Sequence, residues 1–366
     1  MDSSSHPLLT AGLHLDGTHS AFTYSRAVQR GRLLRLRRGV YIPTVTWFES
    51  HPSQRYQLMI AATGLQLGAP VFCRDSALQI HSLPLLHLPT AVHLRASSRA
   101  TVRTTPQPPL TGRLSPAEFW DQAQSSGAAA GLRFSASGFR GFSTARHTPS
   151  PSPESTPEVQ QLLADPSPTG EHPRTFSVHT ESMSFALVDT VPRMEFDAAI
   201  VTLDAALRGE GGRPPAETTH LQQMAETAID SQRMRRYFQD LLDFASPLAE
   251  SPGESLARAR FHQLGFAQPR LQVGMSIDGS SYRVDFLWEG AGVVGEFDGW
   301  KKYESGNPRH SLQQEKIRED AIRSTGRSVF RFYWEDLMEP GCRRLVRLLN
   351  RAGVPRVRSP LSPHRA

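Results

Sequence analysis

Two apolar stretches near the C-terminus each contain carboxylates. The first, "VDFLW", contains Asp285, and the second, "VVGEFDG", contains Glu296 and Asp298, with the turn-like "EGAG" between them. Alternate side chains of a strand point to opposite faces, so Glu296 and Asp298 share one face. A tight turn makes the two strands a hairpin, which brings Asp285 alongside. The chain must therefore fold in a way that tolerates three neighbouring negative charges.

A divalent cation is one way to tolerate them. Buried carboxylates are costly, and like charges raise one another's pKa unless a cation lies between them. Oxygen ligands of this kind suit Mg²⁺ or Mn²⁺. The alternative is structural, because inward charges protect strand edges and Asp298-Gly299 is ordinary turn chemistry. The pattern favours a metal site formed by Asp285, Glu296 and Asp298.

The surrounding sequence predicts a small α/β unit. "SPGESLARARFHQLGF" predicts a helix that begins with a capping box, Ser251 with Glu254 three residues on. "RLQVGMSI", "YRVDFLW" and "VVGEFDG" follow as three antiparallel strands joined by tight turns. "SLQQEKIREDAIRSTG" predicts a second helix, "RSVFRFYW" a fourth strand and "CRRLVRLLNRAG" a closing helix. The predicted order is helix, three strands, helix, strand, helix.

This C-terminal part of the sequence resembles a known family of nucleases. "VDFLWEGAGVVGEFDGWKKY", "EKIRED" and "VFRFYWEDL" are similar to the very-short-patch-repair-endonuclease-like family, which has a PD-(D/E)xK core, over roughly residues 250 to 352. The resemblance implies that Asp285 and Glu296 bind Mg²⁺ or Mn²⁺ and that the reaction is phosphodiester hydrolysis. Asp298 occupies the position of the family's usual lysine, so it is predicted as a third ligand or a residue that orients water.

The charge-neutralising cation must then come from elsewhere in the sequence. Lys302 in "KKY" is the first choice, and Lys301 and Lys316 are alternatives. Glu254 resembles the helix glutamate that completes such sites, but its role in the capping box explains it equally well. The predicted catalytic set is Asp285, Glu296, Asp298, Lys302 and Glu254.

The N-terminal third has a different character. Residues 1–115 contain twelve Arg, no Lys and four acidic residues, a net charge of +8 in a chain whose formal net charge is +6. Such a surface is typical of a nucleic-acid partner, although a solubilising surface is an equal alternative. "FTYSRAVQRGRLLRLRRGVYIP" predicts a helix, a turn at Gly31 and a two-stranded wing. Leu34 and Leu36 are placed on one face of the first strand, with Arg35 and Arg37 on the other.

This segment resembles the winged helix of AbiEi-type antitoxins from type IV toxin-antitoxin systems. "AVQRGRLLRLRRGVYIP" and "DSALQIHSLPLL" carry the resemblance, over about residues 20 to 100. It implies DNA as the partner and leaves open a cognate toxin and a homodimer. The contacts would come from the helix, its turn and the wing. The predicted DNA-contacting residues are Arg26, Arg30, Arg32, Arg35, Arg37 and Arg38.

The whole chain is predicted to be an α+β multidomain protein. A basic winged helix-turn-helix-like domain (1–115) precedes a helical middle region (116–250) with a disordered Pro/Ser-rich insertion at about 142–174. An α/β restriction-endonuclease-like core (251–352) and a disordered basic tail (353–366) follow. No stretch has the composition of a membrane span or signal peptide, and Cys73 and Cys342 indicate neither a disulfide framework nor a zinc site. The predicted location is the cytoplasm.

Two functions from different classes follow. The first is a metal-dependent DNA endonuclease that an N-terminal winged helix positions on its substrate. The second is a non-enzymatic, antitoxin-like DNA-binding regulator with a degenerate nuclease fold. RNA is left open as a substrate, because the core chemistry acts on phosphodiesters without reading the sugar. Cleavage requires that a cation reach the carboxylates despite Asp298.

Overall fold

The computed structural model describes residues 8–12, 20–149, 158–163, 175–210, 212–299 and 308–357 of the chain. The chain divides into two compact units, Met1–Thr190 and Val191–Ala366, which we call the N-terminal and C-terminal units. Within the described ranges, helices and strands are interspersed along the chain, and the strands form three sheets. The prediction of a mixed α and β protein with more than one unit is confirmed. The predicted boundaries near residues 115 and 250 do not coincide with the division at residue 190.

The N-terminal unit has two sheets. Its strands are β1 (Leu9–Thr10), β2 (Leu33–Arg37), β3 (Val40–Pro43), β4 (Val71–Phe72), β5 (Ala91–Arg95), β6 (Arg103–Thr105), β7 (Ser143–His147), β8 (Glu158–Leu163) and β9 (Thr175–Thr180). Its helices are α1 (Ser20–Gln29), α2 (Thr44–Glu49), α3 (Pro52–Leu67), α4 (Arg74–Ile80), α5 (Pro116–Ser125) and α6 (Met183–Thr190). One sheet has the order β1-β3-β2, and the other has the order β6-β7-β5-β4-β9-β8.

The predicted helix and hairpin are present as α1, β2 and β3. Gly31 links α1 to β2 at φ 68°, and a Cβ there would lie 2.3 Å from the backbone nitrogen of Ala123 in α5, so only glycine fits. Gly39 turns β2 into β3 at φ 78°. Leu34 and Leu36 are fully buried, as predicted.

The prediction that Arg37 lies on the exposed face of the wing is wrong. The β2–β3 register shifts between Arg35 and Arg37, which is a β-bulge. Because a bulge adds one residue to a strand, it breaks the alternation of faces, and Arg37 is buried beside Leu36. Arg35 is only half-buried.

The prediction of a disordered insertion over about 142–174 is wrong for two segments. Residues 143–147 form β7, which pairs in parallel with β5 along its whole length, and residues 158–163 form β8, which pairs antiparallel with β9. Strand pairing uses backbone groups that every non-proline residue carries, so a composition rich in Ser and Thr does not prevent it. Residues 150–157 and 164–174 lie outside the described residues.

The C-terminal unit contains the predicted α/β order. Four helices come first, α7 (Phe196–Arg208), α8 (Thr218–Ala228), α9 (Gln232–Phe244) and α10 (Pro252–Gln263). The remaining elements are β10 (Arg270–Ile277), β11 (Ser280–Trp288), β12 (Val293–Phe297), α11 (Pro308–Ser324), β13 (Ser328–Phe332), α12 (Trp334–Met338) and α13 (Arg343–Ala352). The sheet order is β10-β11-β12-β13, with the first three strands antiparallel and β13 parallel to β12. The prediction lacked only the short helix α12.

The two faces of this sheet have different cores. On one face, Phe261 of α10 packs edge-on against Phe286 and Phe332, with ring centroids 5.4 and 5.8 Å apart. On the other face, Ile322 of α11 joins a buried cluster with Leu287 and Val294. Because both faces are covered, the strands are mainly apolar, and a carboxylate within them requires a local explanation.

The predicted disordered tail begins too early. Arg356 forms an isolated bridge with Phe266, and its guanidinium carbon lies 3.8 Å from the centroid of that ring. Residues 353–357 are therefore part of the unit, and residues 358–366 lie outside the described residues. None of the helices in the described parts of the chain is long and apolar enough to cross a membrane.

Candidate carboxylate site on the C-terminal sheet

The hairpin of β11 and β12 brings Asp285 and Glu296 together. Phe286 pairs with Gly295, so the next residues outward, Asp285 and Glu296, lie opposite each other on one face. The backbone N–H of Phe297 donates a hydrogen bond to Asp285 Oδ2 at 2.9 Å. Asp285 is half-buried and Glu296 is buried. The structure therefore brings these two predicted site residues together.

Positive charge beside Glu296 offsets only part of the cost of its burial. Burial raises its pKa, the negative charge of Asp285 raises it further, and Arg318 opposes both, so the pKa of Glu296 is about 7. The opposing contact runs from Arg318 Nη2 to Glu296 Oε1 at 2.9 Å. The same nitrogen also donates to the backbone oxygen of Arg283 at 2.6 Å. This carboxyl group therefore holds its proton to a higher pH than an ordinary glutamate does.

Glu254 is hydrogen-bonded to Gln272, which lies beside the carboxylate pair. Ser251 caps α10 as predicted, accepting from the backbone N–H of Glu254 at 3.2 Å. The Glu254 carboxylate accepts from the Ser251 hydroxyl, from the Glu250 N–H and from Gln272 Nε2, each at 2.9 Å. Burial raises the pKa of Glu254, and the charge of Asp285 adds to this. Glu254 is thus both a helix-start residue and a neighbour of the carboxylate pair.

The sequence interpretation missed Gln272. Its Nε2 lies 2.9 Å from Glu254 Oε2 and 3.5 Å from Asp285 Oδ1, so one amide links the two acids, the second contact being weak. Gln272 has φ 50° within β10, where a residue with a side chain is strained. The only signal in the sequence was a polar residue between Leu271 and Val273.

Asp298 forms an ion pair with Arg331. The parallel register places Arg331 beside Glu296 on β13, and its Nη1 donates to Asp298 Oδ2 at 3.0 Å. Its Nε donates to Glu319 Oε2 at 3.2 Å. Within the described ranges, no group of three or more His, Cys, Asp or Glu side chains has a geometry that could hold a metal ion. The structure therefore does not gather the predicted ligands Asp285, Glu296 and Asp298 into one such group.

In the part of the chain that the structure describes, the cations that contact Glu296 and Asp298 are arginines. Lys302 and Lys301 lie outside the described residues, and Lys316 is exposed on α11. Arg318, two residues after Lys316, makes the contact with Glu296. Sequence spacing alone did not identify Arg318 or Arg331, because α11 and β13 meet the site only after the chain has folded.

The chemistry of the pair still fits a hard divalent cation. Asp285 and Glu296 supply carboxylate oxygens, the donor type that Mg²⁺ prefers, and Gln272 and the Phe297 N–H orient one of them. The raised pKa of Glu296 indicates too little positive charge around it. Asp285 and Glu296 thus have the donor chemistry for such a cation, whereas Asp298 forms an ion pair with Arg331.

The predicted DNA-contacting arginines differ in exposure. Arg26, Arg30, Arg32 and Arg38 are exposed. Arg37 instead donates to Thr63 Oγ1 and to the backbone oxygen of Phe142, both at 2.9 Å. Burial lowers the pKa of Arg37 to about 10. Because its guanidinium group is used inside the unit, Arg37 is removed from the predicted interface.

Comparison with known proteins assigns no family. The chain matches no protein-family model, no curated protein and no solved structure. Function is therefore inferred from the chemistry of the described residues.

Proposed function

We propose that the C-terminal unit is a metal-dependent phosphodiesterase that cleaves DNA. The observation that supports this best is the pair Asp285 and Glu296, opposite each other on adjacent strands, with the pKa of Glu296 raised to about 7. A fold keeps such a pair at a cost, and strongly perturbed carboxylates cluster at functional sites. The order of helices and strands agrees with this proposal.

Each residue of the site has a role in the proposal. Asp285 and Glu296 would hold Mg²⁺ or Mn²⁺, and the Phe297 N–H and Gln272 would fix the orientation of Asp285. When bound, such a cation supplies an activated water and polarises the scissile phosphate. Arg318 balances Glu296 and lies where it can contact a substrate phosphate, the role predicted for Lys302.

Nicking of supercoiled DNA tests the proposal. The purified full chain is incubated with Mg²⁺ or Mn²⁺ and with a chelator, beside Asp285→Asn, Glu296→Gln and the control Asp320→Asn. Asp320 is exposed on α11 of the same unit, so its variant makes the same chemical change away from the pair. We expect metal-dependent nicking that both site variants lose and the control keeps. Equal nicking by Asp285→Asn, or none by the wild-type protein with either metal, contradicts the proposal.

A second function, a non-enzymatic DNA-binding regulator, is favoured by a different observation. Arg331 forms an ion pair with Asp298, at the position where nuclease chemistry uses a lysine, and Arg318 forms an ion pair with Glu296. The exposed arginines Arg26, Arg30 and Arg38 would provide the DNA contacts. Salt-sensitive DNA binding without cleavage by any variant would support the regulator.

The nicking assay repeated on RNA tests the alternative substrate. A cognate toxin, a homodimer and a cytoplasmic location stay predictions.

A further inference from the structure

The end of the chain has an unusual charge distribution. Residues 340–366 contain seven Arg and no Asp, Glu or Lys. The overall charge outside residues 1–115 is slightly negative, so this local excess is hidden in the sum. Part of it lies on helix α13 of the C-terminal unit.

Helix α13 presents three of these arginines on one exposed face. Leu345 and Leu349 are fully buried and anchor the helix. Arg343, Arg347 and Arg351 are exposed at four-residue spacing, which places them about 6 Å apart along the axis. We call these three residues the α13 arginine face. No acidic side chain of the described residues forms an ion pair with any of them.

The neighbouring arginines show what a structural role requires. Arg344 donates to both oxygens of the buried Asp336 at 2.8 Å and lies over the Tyr333 ring. Arg356 stacks on Phe266 and donates to the backbone oxygen of Leu264 at 2.7 Å. The three arginines of the α13 arginine face have no comparable contact within the described ranges, so the fold itself does not account for them.

The position of the face is unfavourable for the isolated helix. Arg343 is the first residue of α13, where the helix dipole disfavours a cation, and the Glu339 carboxylate, which accepts from the Arg344 backbone N–H at 3.2 Å, offsets part of this cost. Like charges four residues apart also repel one another. Both effects reverse when an anion binds across the face.

We infer that the α13 arginine face binds the phosphate backbone of a nucleic acid. The inference rests on the proposed function, because it names the surface with which the C-terminal unit holds its substrate. Regularly spaced cations with no aromatic or acidic side chain among them suit a chain of phosphates contacted without base readout. A membrane surface fits less well, because the apolar side of α13 is buried in the unit and is not available for insertion.

The salt dependence of DNA binding tests the inference. Binding of the full chain to a random-sequence duplex is measured by fluorescence anisotropy, in chelator, between 50 and 300 mM salt. The variant replaces Arg343, Arg347 and Arg351 with Gln. Three lost phosphate contacts should make the slope of log K against log salt shallower by about 2.5. A matched variant with Lys at the three positions should keep the slope, because it keeps the charge.

A second triple variant controls for net charge. Gln replaces Arg233, Arg236 and Arg270, which are exposed elsewhere in the same unit. The inference is overturned if this control reduces the slope as much as the α13 variant does, or if the α13 Gln variant changes the slope by less than about 0.5. Because binding is measured without metal, loss of cleavage alone would contradict the proposed function and leave this inference intact.

Discussion

Protonation of Glu296 should control the stability of the C-terminal unit. The pKa of Glu296 is raised from 4.5 to about 7 by burial and by the charge of Asp285. Below pH 4.5 the carboxyl group is protonated in both the folded and the unfolded chain. Between pH 4.5 and 7 the unfolded chain releases this proton while the folded chain keeps it, so stability falls as pH rises. Above pH 7 the penalty is complete.

The magnitude follows from the pKa difference. At about 1.4 kcal/mol per pH unit, ionisation of Glu296 should cost about 3 kcal/mol of the free energy of unfolding. Glu296→Gln keeps an acceptor for Arg318 but has no proton to release. The stability of the Gln variant relative to the wild-type protein should therefore rise by about 3 kcal/mol between pH 4.5 and 7.5.

Urea denaturation in chelator provides the measurement. Because the chain has two units and need not unfold in one step, hydrogen exchange of the β11 and β12 amides reports on the C-terminal unit. The exposed Asp320→Asn variant serves as the control and should follow the wild-type pH dependence. A relative stability of Glu296→Gln that changes by less than about 1 kcal/mol across this range would refute the reasoning.

Four further substitutions test the roles of residues in the two units. Arg37→Met should cost the N-terminal unit about 1–3 kcal/mol in urea, because buried acceptors lose their donor, yet leave the salt slope of DNA binding unchanged. Arg38→Gln should leave the stability of the N-terminal unit in urea unchanged and should reduce the salt slope of DNA binding by about 1. Gly31→Ala should cost about 3 kcal/mol by thermal denaturation, because its Cβ meets the backbone of α5; an unchanged melting temperature would contradict this. Arg258→Met should cost about 3–5 kcal/mol because it leaves the buried Asp204 unpaired, and adding Asp204→Asn should restore most of that loss.

Sequence patterns predicted the part of the site that depends on local pairing. Tight turns fix the register of neighbouring strands, so the meeting of Asp285 with Glu296 followed from the lengths of β11, its turn and β12. The helix Glu254 and its cap also followed from spacing within a few residues. These features need no knowledge of distant parts of the chain.

The rest depended on contacts that form only in the folded chain. Arg318 and Arg331 reach the acids from α11 and β13, and no spacing rule identifies such partners. Arg37 was misplaced because a single bulge changes which face a strand residue occupies. The "STARH" segment looked like linker because its pairing partner, β5, lies about 50 residues earlier in the chain.

The strand order of the six-stranded sheet in the N-terminal unit constrains how the chain folds during synthesis. Strand β4 pairs in parallel with β9, and Val71 pairs with His179, more than 100 residues later in the chain. This pairing can form only after β9 has been synthesised. The β10–β11 hairpin, by contrast, closes through two residues, Asp278 and Gly279. Local pairings form quickly and distant parallel pairings slowly. We therefore expect the nascent N-terminal unit to expose the open edge of β4 until residue 180 has left the ribosome, a period in which it depends on chaperones more than the C-terminal unit does.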